Sequence, residues 1–459
     1  MRTSVRIFCA AAAVLAAARA DATIYRVGAA GHYATIQQAL TAAATAGATT
    51  ASHDVRIQSG TYPENLRLPD SCCGGRSIRI SGGWNALFNL QGTDPAATVV
   101  DGGDRGRVFT ATDFISGSLL LDRLTLREGY LLTSGTHNLA GGGGLYARIG
   151  GTARLSLYRT VLRDNVLRGA GTGNGEAHGA GAQVVLNDAS VLSVYDSRFQ
   201  NNQIVQAAAQ LAAYGGGLEV QVRDEARASV QRSEFAGNWA YGSRLSCGGG
   251  LFASAWGGNA SAITVEDTLF QGNVVSPIGL GSAVELRASR GPSGAPVAMQ
   301  VSRGRVLSNI GGSSQVHATA SDDARIGISD TLVARGRGGV EVLVNGAFAN
   351  LTNLTVADNS LKGVVGSVNG GGLTVVNTIA YRNTDGDLSL AGTPVVSSFN
   401  LVGVDPRFEP GWYELGGGSP AADAGTNVRP AAAGDMDLAR RDRTYNGTTD
   451  VGAYEWYPY

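Results

Sequence analysis

Apolar residues recur along this chain at a long, fixed period. A nine-residue segment returns at 157–165, 194–202, 230–238, 265–273 and 301–309, ending each time in asparagine. With that last residue taken as position zero, Gly129, Gly336, Asn359 and Asn383 extend the series to nine coils. Eight residues before it stand Leu121, Leu157, Val194, Val230, Val265, Val301, Ile328, Leu351 and Val375. Three before it stand Leu126, Leu162, Phe199, Phe235, Phe270, Val306, Val333, Val356 and Ala380. Such columns are what stacked coils require, because each inward side chain sits above its equivalent one coil away. The zero positions are spaced by 36, 37, 36, 35, 36, 27, 23 and 24 residues. The last values fit a minimal three-strand coil, and the earlier coils carry roughly a dozen residues more.

Six before zero stand Arg123, Arg159, Asp196, Arg232, Asp267, Arg303, Asp330, Asn353 and Asn377. At the strand spacing of about 4.8 Å the run from Arg159 to Asp330 places opposite charges on neighbouring coils, and the last pair forms an asparagine ladder. This column is read as structural. Asparagine at position zero is read as a left-handed turn residue.

Each long coil also carries a glycine-led strand, at 142–147, 179–184, 215–220, 248–253 and 281–286. Alternation along these strands points Tyr146, Gln183, Glu219, Phe252 and Glu285 outward in one column. Arg148, Val185, Gln221, Ser254 and Arg287 form the next. The extra residues at 166–177, 203–214 and 239–247 are expected as loops over this same face, where per-repeat insertions often build a binding surface.

The ends break the period. Ile36, Ala39, Leu40 and Ala43 follow helix spacing, with Thr35 as cap and Gly47 as stop, so a short helix should cover one end of the core. Asp54–Ile57 reads as the first strand. Beyond Asn400 a Gly-, Asp- and Pro-rich tail reads as the opposite lid. The first twenty residues have the order of an export signal: Arg2 and Arg6, an apolar run, then Ala18-Arg19-Ala20 as cleavage site. The mature chain should start near Asp21 and be secreted, periplasmic or surface-associated. It ends in Trp456-Tyr457-Pro458-Tyr459, so no anchor is expected.

Composition narrows the classes. The 459 residues carry 36 basic against 37 acidic side chains, a balance that argues against nucleic acid as partner. Charged residues are 16% of the chain and 66 are glycine without a collagen-like triplet, which fits a folded protein with many tight turns. Signal removal leaves Cys72, Cys73 and Cys247; Cys247 could bridge either neighbour, or all three could be free and buried.

The Gly-Gly-Gly-Leu strands with Phe199-Gln200-Asn201-Asn202, Phe235-Ala236-Gly237-Asn238 and Phe270-Gln271-Gly272-Asn273 resemble repeats of polymorphic outer-membrane proteins. The opening from Tyr33 to Leu40, with Gly60-Thr61-Tyr62-Pro63-Glu64-Asn65, resembles pectate-lyase-like right-handed parallel β-helices. In the tail Asp405-Pro406-Arg407-Phe408, the run from Gly418 to Gly425 and that from Asp450 to Glu455 resemble choice-of-anchor β-helix proteins. Together these imply an all-β, single-stranded right-handed parallel β-helix: signal 1–20, N-terminal cap and first coils 21–116, repeat coils 117–400, C-terminal cap 401–459. They leave activity open, because this fold hosts lyases, hydrolases, adhesins and passive surface proteins.

No ordered catalytic set is present. The run from Asn383 to Asp387, Asp322-Asp323 and His178-Gly179 each resemble a polygalacturonase motif, but in reverse chain order and with no Arg-Ile-Lys element. For a lyase, Lys362 (the only lysine), His178 and Asp164 stand in loops with nothing to pair them. Asp435, Asp437, Asp442 and Asp450 could hold calcium, the one cofactor left open. The leading expectation is therefore a monomeric, non-catalytic extracellular or surface protein binding polysaccharide or another surface through Tyr146, Arg148, Gln183, Glu219, Gln221, Phe252, Glu285 and Arg287. The alternatives are a polysaccharide lyase, less readily a glycoside hydrolase, on acidic polysaccharide, and a purely structural surface protein.

Overall fold

The computed structural model describes residues 22–46, 52–69, 75–133, 139–169, 175–206, 211–257, 261–290, 297–428 and 435–458. The export signal, Gly47, Cys72 and Cys73 lie outside the described residues. Strands stack in parallel register from one coil to the next, and the chain winds as a right-handed parallel β-helix. Both apolar columns are realised. Leu157 pairs with Val194, Val194 with Val230 and Val230 with Val265; Leu162, Phe199, Phe235 and Phe270 do the same on the adjoining sheet. Their side chains form one continuous core with at most 1% exposure. Phe199, Phe235 and Phe270 stack face to face with centroids 4.7 and 4.9 Å apart, the spacing the strands impose.

The charged column also lines up, at the corner where the chain turns between sheets. All nine of its residues have φ between 46° and 56°, so short polar side chains and arginines occupy left-handed turns here. The ladder resolves into pairs, Asp196 with Arg232 and Asp267 with Arg303, each at 2.8 Å, followed by Asp330, Asn353 and Asn377 linked through amides at 2.8 and 3.1 Å.

Position zero is different from the expectation. The left-handed residue falls one place earlier, at Asp164, Asn201, Ser308 and Asp358. The asparagines themselves turn inward and are buried, each amide donating to the next: Asn165 to Asn202, Asn238, Asn273 and Asn309 at 2.8–2.9 Å. An amide both donates and accepts, so a stacked row can satisfy itself without water. At Gly336 the row has no side chain. Gln315 fills the gap, accepting from Asn309 and donating to Asn359, both at 2.9 Å, and a Cβ on Gly336 would lie 2.2 Å from its Cδ.

The helix spans Ile36–Thr45 and buries Ile36, Ala39, Leu40, Ala43 and Ala44. Thr35 caps it by accepting from the Gln38 N–H at 3.2 Å, and the Glu64 carboxylate accepts from Ile36 and Gln37 N–H. One earlier strand, Thr23–Val27, precedes it and pairs with Ser52–Gln58, so Asp54–Ile57 is not the first strand. Its five residues are too few for a periodicity to register.

Where they are described, the extra residues of the long coils are largely strands and not loops; 170–174 and 207–210 lie outside the described residues. Val166–Gly169, Gln203–Gln206 and Trp239–Tyr241 belong to one small parallel sheet; Gly175–His178, Leu211–Tyr214 and Leu245–Cys247 belong to another. Leu167, Ala177, Ile204, Leu211, Ala213, Ala240 and Val275 give this lobe its own core. The tail also departs from expectation. Its Leu415, Ala421, Leu438, Val451, Ala453 and Tyr454 pack on Leu332, Ala334, Ala357 and Ile379, whose strands form the flank of the last coils. It is therefore a flap along one side. The physical cause is that those strands carry apolar residues on their outer as well as their inner positions. No helix among the described residues is long and apolar enough to cross a membrane.

Candidate functional site

The glycine-led strands begin at Leu145, Ala182, Leu218, Leu251 and Val284, each following a turn whose glycine has positive φ, for example Gly248 at +62°. They run side by side, and Gln183, Glu219, Phe252 and Glu285 fall in one register, which continues into His317 and Glu341. This column points away from the main core, as expected. It is not a solvent-exposed face, however: Glu219 and Glu285 have no exposed surface and Phe252 has 6%. The strands Gly175–His178 and Leu211–Tyr214 lie over it, so the inserted lobe walls a cleft of about 650 Å³. The outer faces of five adjacent strands make its floor. At about 4.8 Å per strand that floor runs roughly 19 Å along the solenoid axis.

Glu219 is buried among donors. His178 Nδ1 lies 2.8–2.9 Å from its two oxygens, Gln183 Nε2 donates at 3.2 Å and Gln221 Nε2 at 2.9 Å. On its other side His178 Nε2 lies 3.5 Å from Glu176, which also pairs with Arg244 at 3.1 Å. Burial disfavours the imidazolium, but the Glu219 and Glu176 carboxylates outweigh it, and the His178 pKa is pushed up to about 10. The hydrogen bond from His178 in turn lowers Glu176.

At the far end the pattern recurs. Glu285 accepts from Arg287 Nε at 2.8 Å, and its second oxygen lies 3.0 Å from His317 Nδ1. These two atoms approach off the line a hydrogen bond needs, and neither has another partner. Here too burial opposes the imidazolium and Glu285, followed by Glu341, raises the His317 pKa. Between the two ends sit the rings of Tyr214 and Phe252, 5.0 Å apart, with the Arg287 guanidinium 5.9 and 5.1 Å from their centroids. His178 stacks on Tyr214 at 5.1 Å, and Trp256, 49% exposed, stands at the mouth.

Of the residues expected to bind, Glu219, Gln221, Phe252, Glu285 and Arg287 line this cleft. Gln183 supports Glu219 from the neighbouring strand. Tyr146 shares the register but lies under Arg107, whose guanidinium is 4.7 Å from its ring, and Arg148 is exposed on the same strand; neither lines the cleft. His178 is paired, contrary to expectation, because the lobe strand carrying it folds back over Glu219. Glu176, Tyr214, Trp256, His317 and Glu341 were missed. His317 and Glu341 follow Glu285 in the register, but their coils lack the glycine-led signature that marked the others.

Other candidates have structural partners. Asp164 pairs with Arg163 at 2.5 Å, Asp323 with Arg290 at 2.7 Å, and Asp322 accepts from Ser289 Oγ at 2.9 Å. Asn383 and Asp387 continue the buried amide ladder at 2.8 Å, and Lys362 is exposed. In the tail, Asp437 and Asp450 spend their oxygens on backbone N–H groups of Arg441, Glu455, Asp423 and Trp456. Among the described residues no three His, Cys, Asp or Glu side chains stand where they could hold a metal ion. Cys247 is a free buried thiol whose sulfur accepts from Arg287 Nη2 at 3.0 Å; burial, then Glu285, raises its pKa. Comparison with protein-family models and with curated proteins finds no match, so the cleft itself carries the functional reading.

Proposed function

We propose that this chain is an exported β-helix protein that binds a segment of a polysaccharide in the walled cleft, without transforming it. The observation that carries this reading is the axial cleft: the ring of Phe252 on its floor and that of Tyr214 on its wall, flanked at both ends by carboxylates, imidazoles and a guanidinium. Ring faces match the C–H surfaces of sugars, and fixed charged groups match their hydroxyls. Secretion or surface display fits the export-type N-terminus and the choice-of-anchor resemblance.

The chemistry of the site favours binding. Both histidines sit against carboxylates that favour the bound proton, and His178, pushed up to about 10, is not poised to abstract one near neutral pH. Glu219 already accepts from three side chains. A lyase or hydrolase remains the second reading, because the unaligned Glu285–His317 contact is the one place where a bound substrate could draw out a working acid. The test uses the mature chain from Asp21 on a panel of neutral and acidic polysaccharides. Co-sedimentation should show retention that Phe252→Ala with Tyr214→Ala abolishes while the fold survives. Appearance of unsaturated-uronate absorbance or new reducing ends would instead establish the enzyme.

A further inference from the structure

We infer that the cleft takes neutral, hydroxyl-rich sugar units and turns away uronates. This rests on the glycan reading above and deepens it. Three cationic side chains line the cleft among the described residues: His178, Arg287 and His317. Each already faces a carboxylate of this chain. His178 is held between Glu219 and Glu176, and Arg287 and His317 both face the two oxygens of Glu285. Glu219 and Glu285 have no exposed surface. A ligand carboxylate that drew a cation away would leave a buried charge uncompensated, which is strongly unfavourable.

With Glu341 the lining carries four carboxylates against those three cations, and Arg244 offsets Glu176 from outside it, so an anionic sugar meets no surplus positive charge. Glu341 stands at the His317 end, accepting from Ser313 Oγ, and is half-buried. Beside apolar Trp256, Leu280 and Leu343, the cleft also offers polar, uncharged groups: Gln221, Ser254, Ser289, Thr319 and Ser321. Amides and hydroxyls both donate and accept, and so match the mixed donor and acceptor character of sugar hydroxyls. Discrimination of this kind works by what the site refuses as much as by what it holds.

The test is calorimetric titration of the mature chain with neutral hexose oligosaccharides and with oligouronates of equal length, at low and at physiological salt. The expected result is at least tenfold tighter binding of a neutral oligosaccharide. Glu341→Gln, which removes one charge at a half-buried position, should raise oligouronate affinity several-fold relative to that for neutral oligosaccharide. Glu285→Gln should do so more strongly, with a urea titration to confirm folding. Oligouronates binding as tightly as neutral chains would overturn the inference and leave the glycan reading standing. The same holds if Glu341→Gln gains nothing. No binding of either class would overturn both.

Discussion

Burying a carboxylate costs several kcal/mol unless donors replace the water it loses, and Glu219 shows how that is arranged here. A histidine and two glutamines close on its two oxygens from three different strands. The His178 proton is bound more tightly in the folded chain than in the unfolded one, whose value is near 6.5. Its contribution to stability is therefore fully present below about 6.5 and is lost as pH rises through about 10. Proton NMR should find the His178 ring still protonated at pH 8. Glu219→Gln should bring its midpoint down by more than a unit, and a midpoint left in place would show that another group holds the proton. The ordering of Glu219 and Phe252 in one register was legible from strand alternation. Their burial was not, because alternation says which way a side chain points and not what lies beyond it.

At the scale of elements, two ladders invite opposite predictions. The Asn238 amide donates to Asn273 and to the Phe199 carbonyl and accepts from Asn202, all inside the core. Asn238→Ala leaves buried groups unpaired at about 1–3 kcal/mol each, so the urea midpoint should fall sharply. Gln315→Ala should cost a similar amount, although nothing in the repeat marks that residue. By contrast the Asp196–Arg232 pair is about a quarter to a third exposed, and Asp196→Ala should cost no more than about 1 kcal/mol. The conspicuous alternating column is thus expected to matter less than the monotonous one. A repeat shows that a column is uniform, but whether it faces water or core depends on one turn residue, and here the left-handed position lay a single place earlier.

For the whole molecule, the tail is held on the last coils by apolar packing and one buried ion pair, and it contains a small acidic cluster of its own. Arg443 and Asp330 are both fully buried, 2.9 Å apart, and Arg443 also donates to the Gly452 and Ala453 carbonyls. Arg443→Met strands the Asp330 charge and should destabilise by about 3–5 kcal/mol, seen as early proteolysis of the tail. Burial, and then Asp450, pushes the Glu455 pKa from 4.5 up to about 8. A raised carboxyl contributes stability that is present below about 4.5 and is lost as pH rises through about 8. Protease resistance of the tail should decline over that window in the native chain, and Glu455→Gln should flatten the decline. The coil period, the two apolar columns, the strand registers and the capping helix follow from the sequence alone, because they depend on spacing and side-chain volume repeated coil by coil. What the inserted segments cover, where the tail lies and which charges meet in the cleft were decided by tertiary structure. Those contacts join residues tens to more than a hundred positions apart, and no local pattern encodes which surfaces will meet.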